Sequence, residues 1–242
     1  KNLTNILYTQ IFKNNFFFMI FFIYAVIFSK AIDSDILEES SLSCGENLTY
    51  SLISNTLIIS GLGDMFNYSS TNKAPWYDNR SIINAIIVDE GVTSIGIKAF
   101  YLLDNAKSIQ LPESITSIYA QAISFCTLLT EIVIPESISI VHSEVFYFCK
   151  NLKTIVFKTN ITYIGDSAFS RCEKLLNFSI PETVTYIGNG AFTTCNQITS
   201  FIIPSKISII KSSCFTSCIN LRNITFMGNI TSIERNAFNN CN

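Results

Sequence analysis

Charge is scarce in this 242-residue chain. Only 14% of residues are Asp, Glu, Lys or Arg, and the net charge is −2. There is thus no basic field to draw nucleic acid or an acidic membrane surface. With 48% hydrophobic residues the chain is also too apolar to be disordered. Histidine is nearly absent, His142 being the only one. No Ser/Asp arrangement suggestive of a catalytic triad surrounds it, and with no Cys-x-x-Cys a zinc site is disfavoured. Glycine (9) and proline (5) are few. Gly61-Leu-Gly63 lacks the third glycine and following helix of a dinucleotide turn and reads as a turn between strands. Acidic residues look scattered, with no paired column suited to glycoside hydrolysis. These absences argue against an enzyme and against a cofactor or metal centre.

What the chain has is β-branched residues, asparagine and phenylalanine, a composition that predicts many short strands. Phe16 to Phe28 is an uncharged apolar run preceded by Lys1 and Lys13 and followed by Ser29 and Ala31. It reads as a secretory signal peptide over residues 1–31, or as an uncleaved signal anchor, and is shorter than the ~20 residues a spanning helix needs. Residues 32–43 form a linker. The chain starts at Lys1 rather than Met and stops inside a repeat, so a C-terminal truncation is expected, with any membrane attachment through the N-terminal anchor or a missing C-terminal helix. Secretion would make sequons meaningful, and Asn47, Asn67, Asn79, Asn160, Asn177, Asn223 and Asn229 all stand in Asn-x-Ser/Thr.

The dominant signal is a period of 23 residues. Phe100, Phe146, Phe169, Phe192, Phe215 and Phe238 lie on one grid, with Ile123 in the remaining place. Cys126, Cys149, Cys172, Cys195, Cys218 and Cys241 follow each of the last six by three positions. Ile95, Ile118, Val141, Ile164, Ile187, Ile210 and Ile233 make another column, and Ile109, Ile132, Ile155, Phe178, Phe201 and Ile224 a further one. A fifth runs two residues later from Leu111 to Phe226, and Pro112, Pro135, Pro181 and Pro204 form a broken sixth.

Each unit alternates inward and outward over a short strand such as Leu152–Phe157, which a proline often ends. Val184–Ile187 is a second extended piece. Ala191, Phe192 and Cys195 have the spacing of one helical turn with one buried side. A single unit cannot bury its own apolar face, but stacked units can, with like strands parallel at about 4.8 Å. The prediction is a mainly β solenoid of 23-residue units with short helical turns, over 92–242. Residues 44–91, strand-like and rich in turns, would cap its first rung, and Trp76 and Tyr77 would pack in that cap rather than form an exposed patch.

Stacking also decides the cysteines. Equivalent side chains in neighbouring rungs stay about 4.8 Å apart at Cβ, where a disulfide needs about 3.8 Å and converging vectors. The ladder is therefore expected to be buried thiols, with Cys214 in the place that Ala168 and Ala191 take elsewhere. The pairing of Cys44 is left open.

The unit Ile187-Gly-x-x-Ala-Phe192-x-x-Cys195, continued by x-x-Ile198-x-x-Phe201-x-Ile203-Pro204, resembles the BspA-like leucine-rich repeat. Cys44-Gly, Leu57-x-Ile59-x-Gly61-x-Gly63, Ala74-Pro-Trp76-Tyr77 and Gly91-Val-Thr-Ser-Ile-Gly96 resemble the segment that precedes such repeats. The likeness covers about residues 44–242. It implies a surface antigen of the protist or anaerobe type, displayed or secreted, with adhesion to a host matrix or cell-surface protein. It carries no catalytic residues and no fixed ligand site.

Binding would use outward strand positions: Glu131, Val133, Thr154, Val156, Ser179, Ser200, Ile202 and Thr225. Asn177 and Asn223 share one outward column, so glycans on both would shield part of that face. The alternative is a structural or antigenic coat protein with no specific ligand.

Overall fold

The computed structural model describes residues 42–158, 161–176 and 179–241. The segment 1–31 expected to be a signal peptide or signal anchor, most of the expected linker, and the sequons at Asn160 and Asn177 lie outside the described residues. Leu42–Asn242 forms one compact unit.

That unit is a β-solenoid. Successive rungs carry a front strand and a shorter flank strand, and the following pairs join equivalent strands in parallel at a shift of 23. On the front, Ala85–Val88 pairs with Ser108–Gln110, Glu131–Ile134 with Thr154–Phe157, and Ser200–Ile203 with Asn223–Phe226. On the flank, Val92–Ile95 pairs with Ser117–Ile118, and Ile140–Val141, Tyr163–Ile164 and Tyr186–Ile187 pair in series. The inward residues of both strands fill one continuous core, in which Ile95, Ile164, Ile132 and Ile203 are buried. Alternation fixes this register, because a slip of one residue would turn every inward Ile to water.

The phenylalanine column is a stack. Phe146, Phe169, Phe192, Phe215 and Phe238 follow one another at ring-centroid distances of 5.5, 5.3, 5.5 and 5.4 Å, with interplanar angles of 15° or less. Such offset-parallel packing is favourable beyond the area it buries. Phe201 on the front strand meets the stack edge-on against both Phe192 and Phe215.

At the N-terminal end, Leu48–Ile53 and Thr56–Gly61 form an antiparallel hairpin. Its second strand pairs in parallel with Ala85–Val88 and so serves as a rung itself. Leu57 precedes its partner Ile86 by 29 residues, where Ile86 precedes Ile109 by 23. The longer connection removes this rung from the sequence grid. Trp76 is buried in it and takes the place of the stack's first ring, 6.0 Å from Phe100, with its indole N–H donating to the Ala99 carbonyl at 2.9 Å. Tyr50 and Tyr68 meet its ring edge-on. Gly61, at φ +123°, closes on the hairpin so tightly that a Cβ there would lie 2.1 Å from the Asn47 carbonyl oxygen.

The helical turn expected at Ala191–Cys195 is not helical. Among the described residues the one helical element is the 3₁₀ turn Tyr77–Asn79. Each rung instead passes through consecutive β-turns. Thr193 and Cys195 N–H groups donate back three residues, to Gly190 and Phe192. Those of Gly190, Phe192 and Thr194 donate forward to Ser212, Cys214 and Thr216 of the next rung, at 2.8–2.9 Å. The alternation requires left-handed backbone at two positions per rung, such as Gln121 and Phe125, Ser167 and Arg171, or Ser213 and Ser217. A helix would turn all these donors inward on itself, whereas alternating hands send every second N–H to the neighbour. Apolar residues at i, i+1 and i+4 suit both arrangements, so spacing alone did not separate them.

Two outcomes are expected from equilibrium denaturation. Phe192→Ala removes a ring stacked on both sides and should cost about 3–5 kcal/mol. Thr194 is a β-branched residue at φ +60°, and Thr194→Asn should raise stability by about 1 kcal/mol by relieving it.

Candidate recognition surface

The front strands present their outward side chains to solvent in columns. Glu131, Thr154, Ser200 and Asn223 share one, and Val133, Val156, Ser179, Ile202 and Thr225 the next. All are exposed. Val133, Val156 and Ile202 keep 46%, 46% and 55% of their surface open, high for aliphatic residues on a sheet. Lys107, Lys153 and Arg222 stand exposed in a column beside them, with Leu176 between the last two. Together these form an open surface whose apolar stripe is bordered by cations and short hydroxyl side chains. Its backbone is fixed by the ladder, so only side chains vary from rung to rung.

Other columns are structural. Each ladder thiol donates to the carbonyl 26 residues back: Cys126 to Phe100, Cys149 to Ile123, Cys172 to Phe146, Cys195 to Phe169, Cys218 to Phe192 and Cys241 to Phe215, at 3.0–3.3 Å. This gives a second donor to a turn carbonyl that already accepts the backbone N–H three residues on. Cysteine suits the place because it is small, apolar and still a weak donor. All described cysteines are free thiols, including Cys44 and Cys214, both buried. Burial pushes Cys149 and Cys218 up to about 12 and Cys126, Cys172 and Cys195 well above their ordinary value. Such thiols are poor nucleophiles.

The acidic residues are not all scattered. Glu90, Glu113, Glu136 and Glu182 fall on one 23-residue grid. Glu90 accepts the Glu113 N–H at 3.1 Å, Glu113 the Glu136 N–H at 3.3 Å, and Glu182 the Ser205 N–H at 3.2 Å. Glu90, Glu113 and Glu182 thus each cap the turn of the next described rung, and Glu113 also pairs with Lys158, which holds its carboxyl below the usual range. A matching ladder of hydroxyls runs along the flank, where Thr116, Thr162, Thr185 and Thr231 donate to the carbonyl one rung back at 3.0–3.2 Å.

His142 packs at 5.5 Å against Tyr119, and burial lowers its pKa. No group of His, Cys, Asp and Glu suited to a metal ion occurs among the described residues. Of the described sequons, Asn47, Asn67, Asn79, Asn223 and Asn229 are exposed. Asn67 uses only its Oδ1, as acceptor from the Ile97 N–H at 2.8 Å, which leaves the amide nitrogen on the exposed side of the bond.

A parallel solenoid of 23-residue rungs, with rings, thiols and hydroxyls stacked in columns, defines a repeat scaffold. The family described as BspA type Leucine rich repeat region matches in six copies over residues 73–199 and 125–242, and the chain belongs to it. No curated protein sequence matches significantly. Among solved structures the chain is similar to the leucine-rich repeat protein of T. pallidum, at 19% identity and TM-score 0.46, over 79% of this chain and 85% of that one. It is also similar to a leucine-rich repeat protein from Bacteroides ovatus, at 23% identity and TM-score 0.49, over 74% and 52%. A leucine rich cell surface protein from Faecalibacterium prausnitzii shows 17% identity and TM-score 0.39, over 86% of each chain.

The raised thiol pKa values set an alkaline limit. In the unfolded chain the thiols ionise near their ordinary value of 9.0, while Cys149 and Cys218 stay protonated to about 12 when folded. Their contribution is full below pH 9 and is lost as pH climbs from there toward 12. Thermal melts should stay level from pH 7 to 9 and fall above it, and iodoacetamide at pH 8 should label Cys172 only after unfolding. Rapid labelling of Cys172 in the native protein would contradict the ladder.

Proposed function

We propose that this repeat scaffold is a secreted or surface-displayed recognition protein, adhesin-like, that engages a host matrix or cell-surface protein through its front face. The observation that supports this reading most directly is the exposed stripe Val133–Val156–Ile202, flanked by Glu131, Thr154, Ser179, Ser200 and Thr225. Solvation of a sheet asks only for polar residues at these places, as Ser108 and Gln110 supply one rung before Val133. Large aliphatic groups held open in one column suit a partner that covers them.

Binding would arise from many weak contacts spread over several rungs, with no bond chemistry, which fits a scaffold family and a non-enzymatic role. The apolar run Phe16–Phe28 supports export, with the exposed sequons as glycan carriers on that route. A glycan on Asn223 would stand at the edge of the stripe, two residues from Thr225, and confine a partner to the rungs before it. Mass spectrometry of natively expressed protein reads this directly, since unmodified asparagines would remove the shield.

The full chain should bind saturably to at least one protein in a panel of immobilised matrix proteins or to host-cell surfaces. The triple substitution Val133→Asp, Val156→Asp and Ile202→Asp should weaken that binding by about 2–4 kcal/mol. The melting temperature should change little, because all three side chains point to solvent. Absence of any saturable binding would favour a coat protein without a specific ligand.

A further inference from the structure

The regular period fails once, between Leu57 and Ile86, and the extra length there builds the wall of a cavity. This cavity, of about 250 Å³, lies between the segment Tyr68–Tyr77 and the turn Lys98–Leu102 of the following rung. Lys73, Lys98, Tyr77, Tyr101 and Ser70 line it, and no carboxylate does. The Lys73 ammonium stands 4.3 Å from the centroid of the Tyr77 ring, and the Arg80 guanidinium lies at the same distance from that ring. The Lys98 ammonium is 5.5 Å from the Tyr101 ring. The salt bridges among the described residues are Lys158–Glu113 and Lys211–Glu234, so neither pocket lysine is in one, whereas Arg80, outside the lining, is faced by the Asp104 carboxylate. Asp104 and Glu144 act on the Tyr101 hydroxyl from outside the cavity.

Two lysines converging on one cavity without a carboxylate in its wall are unexpected on a chain of net charge −2. They repel one another unless an anion joins them, and they rest on tyrosine faces meanwhile. The loop at their side is firmly set. Ser69 Oγ accepts the Asn72 N–H at 2.9 Å and the Thr71 N–H at 3.3 Å, and the Ser69 N–H donates to the Asn72 carbonyl at 2.8 Å. Lys98 is held from the other side, its N–H donating to the Ala120 carbonyl at 3.3 Å. The cavity therefore has fixed walls, with the two ammonium groups carried on them over the tyrosine rings.

We infer that this pocket binds an acidic saccharide, one pyranose unit carrying a sulfate or a carboxylate. The anionic group sits between the Lys73 and Lys98 ammonium groups. The C–H face of the ring lies against the tyrosines, and the Ser70 hydroxyl is placed for a ring hydroxyl. The volume suits one sugar residue, with the chain of a larger glycan leaving through the open side. The site lies between the cap segment and the turn of the following rung, and does not depend on the front face or on its protein partner.

Isothermal titration of the full chain at low salt tests this with four probes: a sulfated disaccharide, sialyllactose, uncharged lactose and a phosphoserine peptide. One or both acidic sugars should bind at a single site, weaken as salt rises, and lose about tenfold or more in affinity in the Lys73→Ala, Lys98→Ala double variant. Which of the two binds separates a sulfate ester from a sialic acid as the natural group. Lys153→Ala with Arg222→Ala, on the front face, should leave sugar binding unchanged. Equal binding of lactose, tighter binding of the phosphopeptide, no saturable binding of either acidic sugar, or indifference to the double variant would each overturn the proposal.

Discussion

The parallel backbone ladder between successive rungs governs everything else in this molecule. Front strands, flank strands and every second N–H of the turns hand hydrogen bonds to the equivalent segment one period away, so a rung finds many of its partners in its neighbours. Every column follows. Once the backbones repeat, a side chain at one position has its equivalent above and below at roughly strand spacing. Residues that gain from their own kind at that distance then accumulate: phenylalanine stacks, isoleucine packs, threonine passes a hydroxyl to the carbonyl beneath. Cysteine is retained for a related reason, since its thiol reaches a turn carbonyl that a larger donor could not reach without disturbing the ring stack.

Much of this was legible in the residues. The Phe, Cys and Ile columns marked the period and the inward faces, and the spacing of stacked side chains pointed to thiols rather than disulfides. The turns were not legible in the same way. Left-handed backbone recurs at Lys98, Gln121, Glu144, Ser167, Gly190, Ser213 and Asn236, yet only one of the seven is glycine. The hydrogen bonds they direct into the next rung carry the cost of that conformation, so no residue type advertises it. The hairpin rung was hidden differently, by the longer connection that takes Leu57 off the grid. The glutamate column lay in plain sight at Glu90, Glu113 and Glu136. It was passed over because a carboxylate that caps a backbone N–H looks, in sequence, like any solvated surface acid.

The recognition face was legible as a set of outward positions and less so as a surface. Alternation identifies Val133, Val156 and Ile202 as outward, but only the stacked register shows that they share a column and that Lys153 and Arg222 border it. The cavity beside Tyr77 could not be read from sequence, because Lys73 and Lys98 belong to different rungs and meet only where the period is broken. Regularity builds the scaffold here, and departures from regularity, in the outward columns and in the cap, supply whatever distinguishes this chain chemically from its relatives.

The ladder also bears on how such a chain changes over generations. Because a rung touches only the rungs beside it, adding or deleting a whole number of units leaves every remaining interface as it was. An insertion of any other size within a strand would shear the columns, whereas one in a connection can be looped out, as it is between Leu57 and Ile86. Length is therefore free to drift in whole-unit steps while the cross-section stays constant, and reach becomes a trait that recombination between near-identical units can alter without a single new contact being invented.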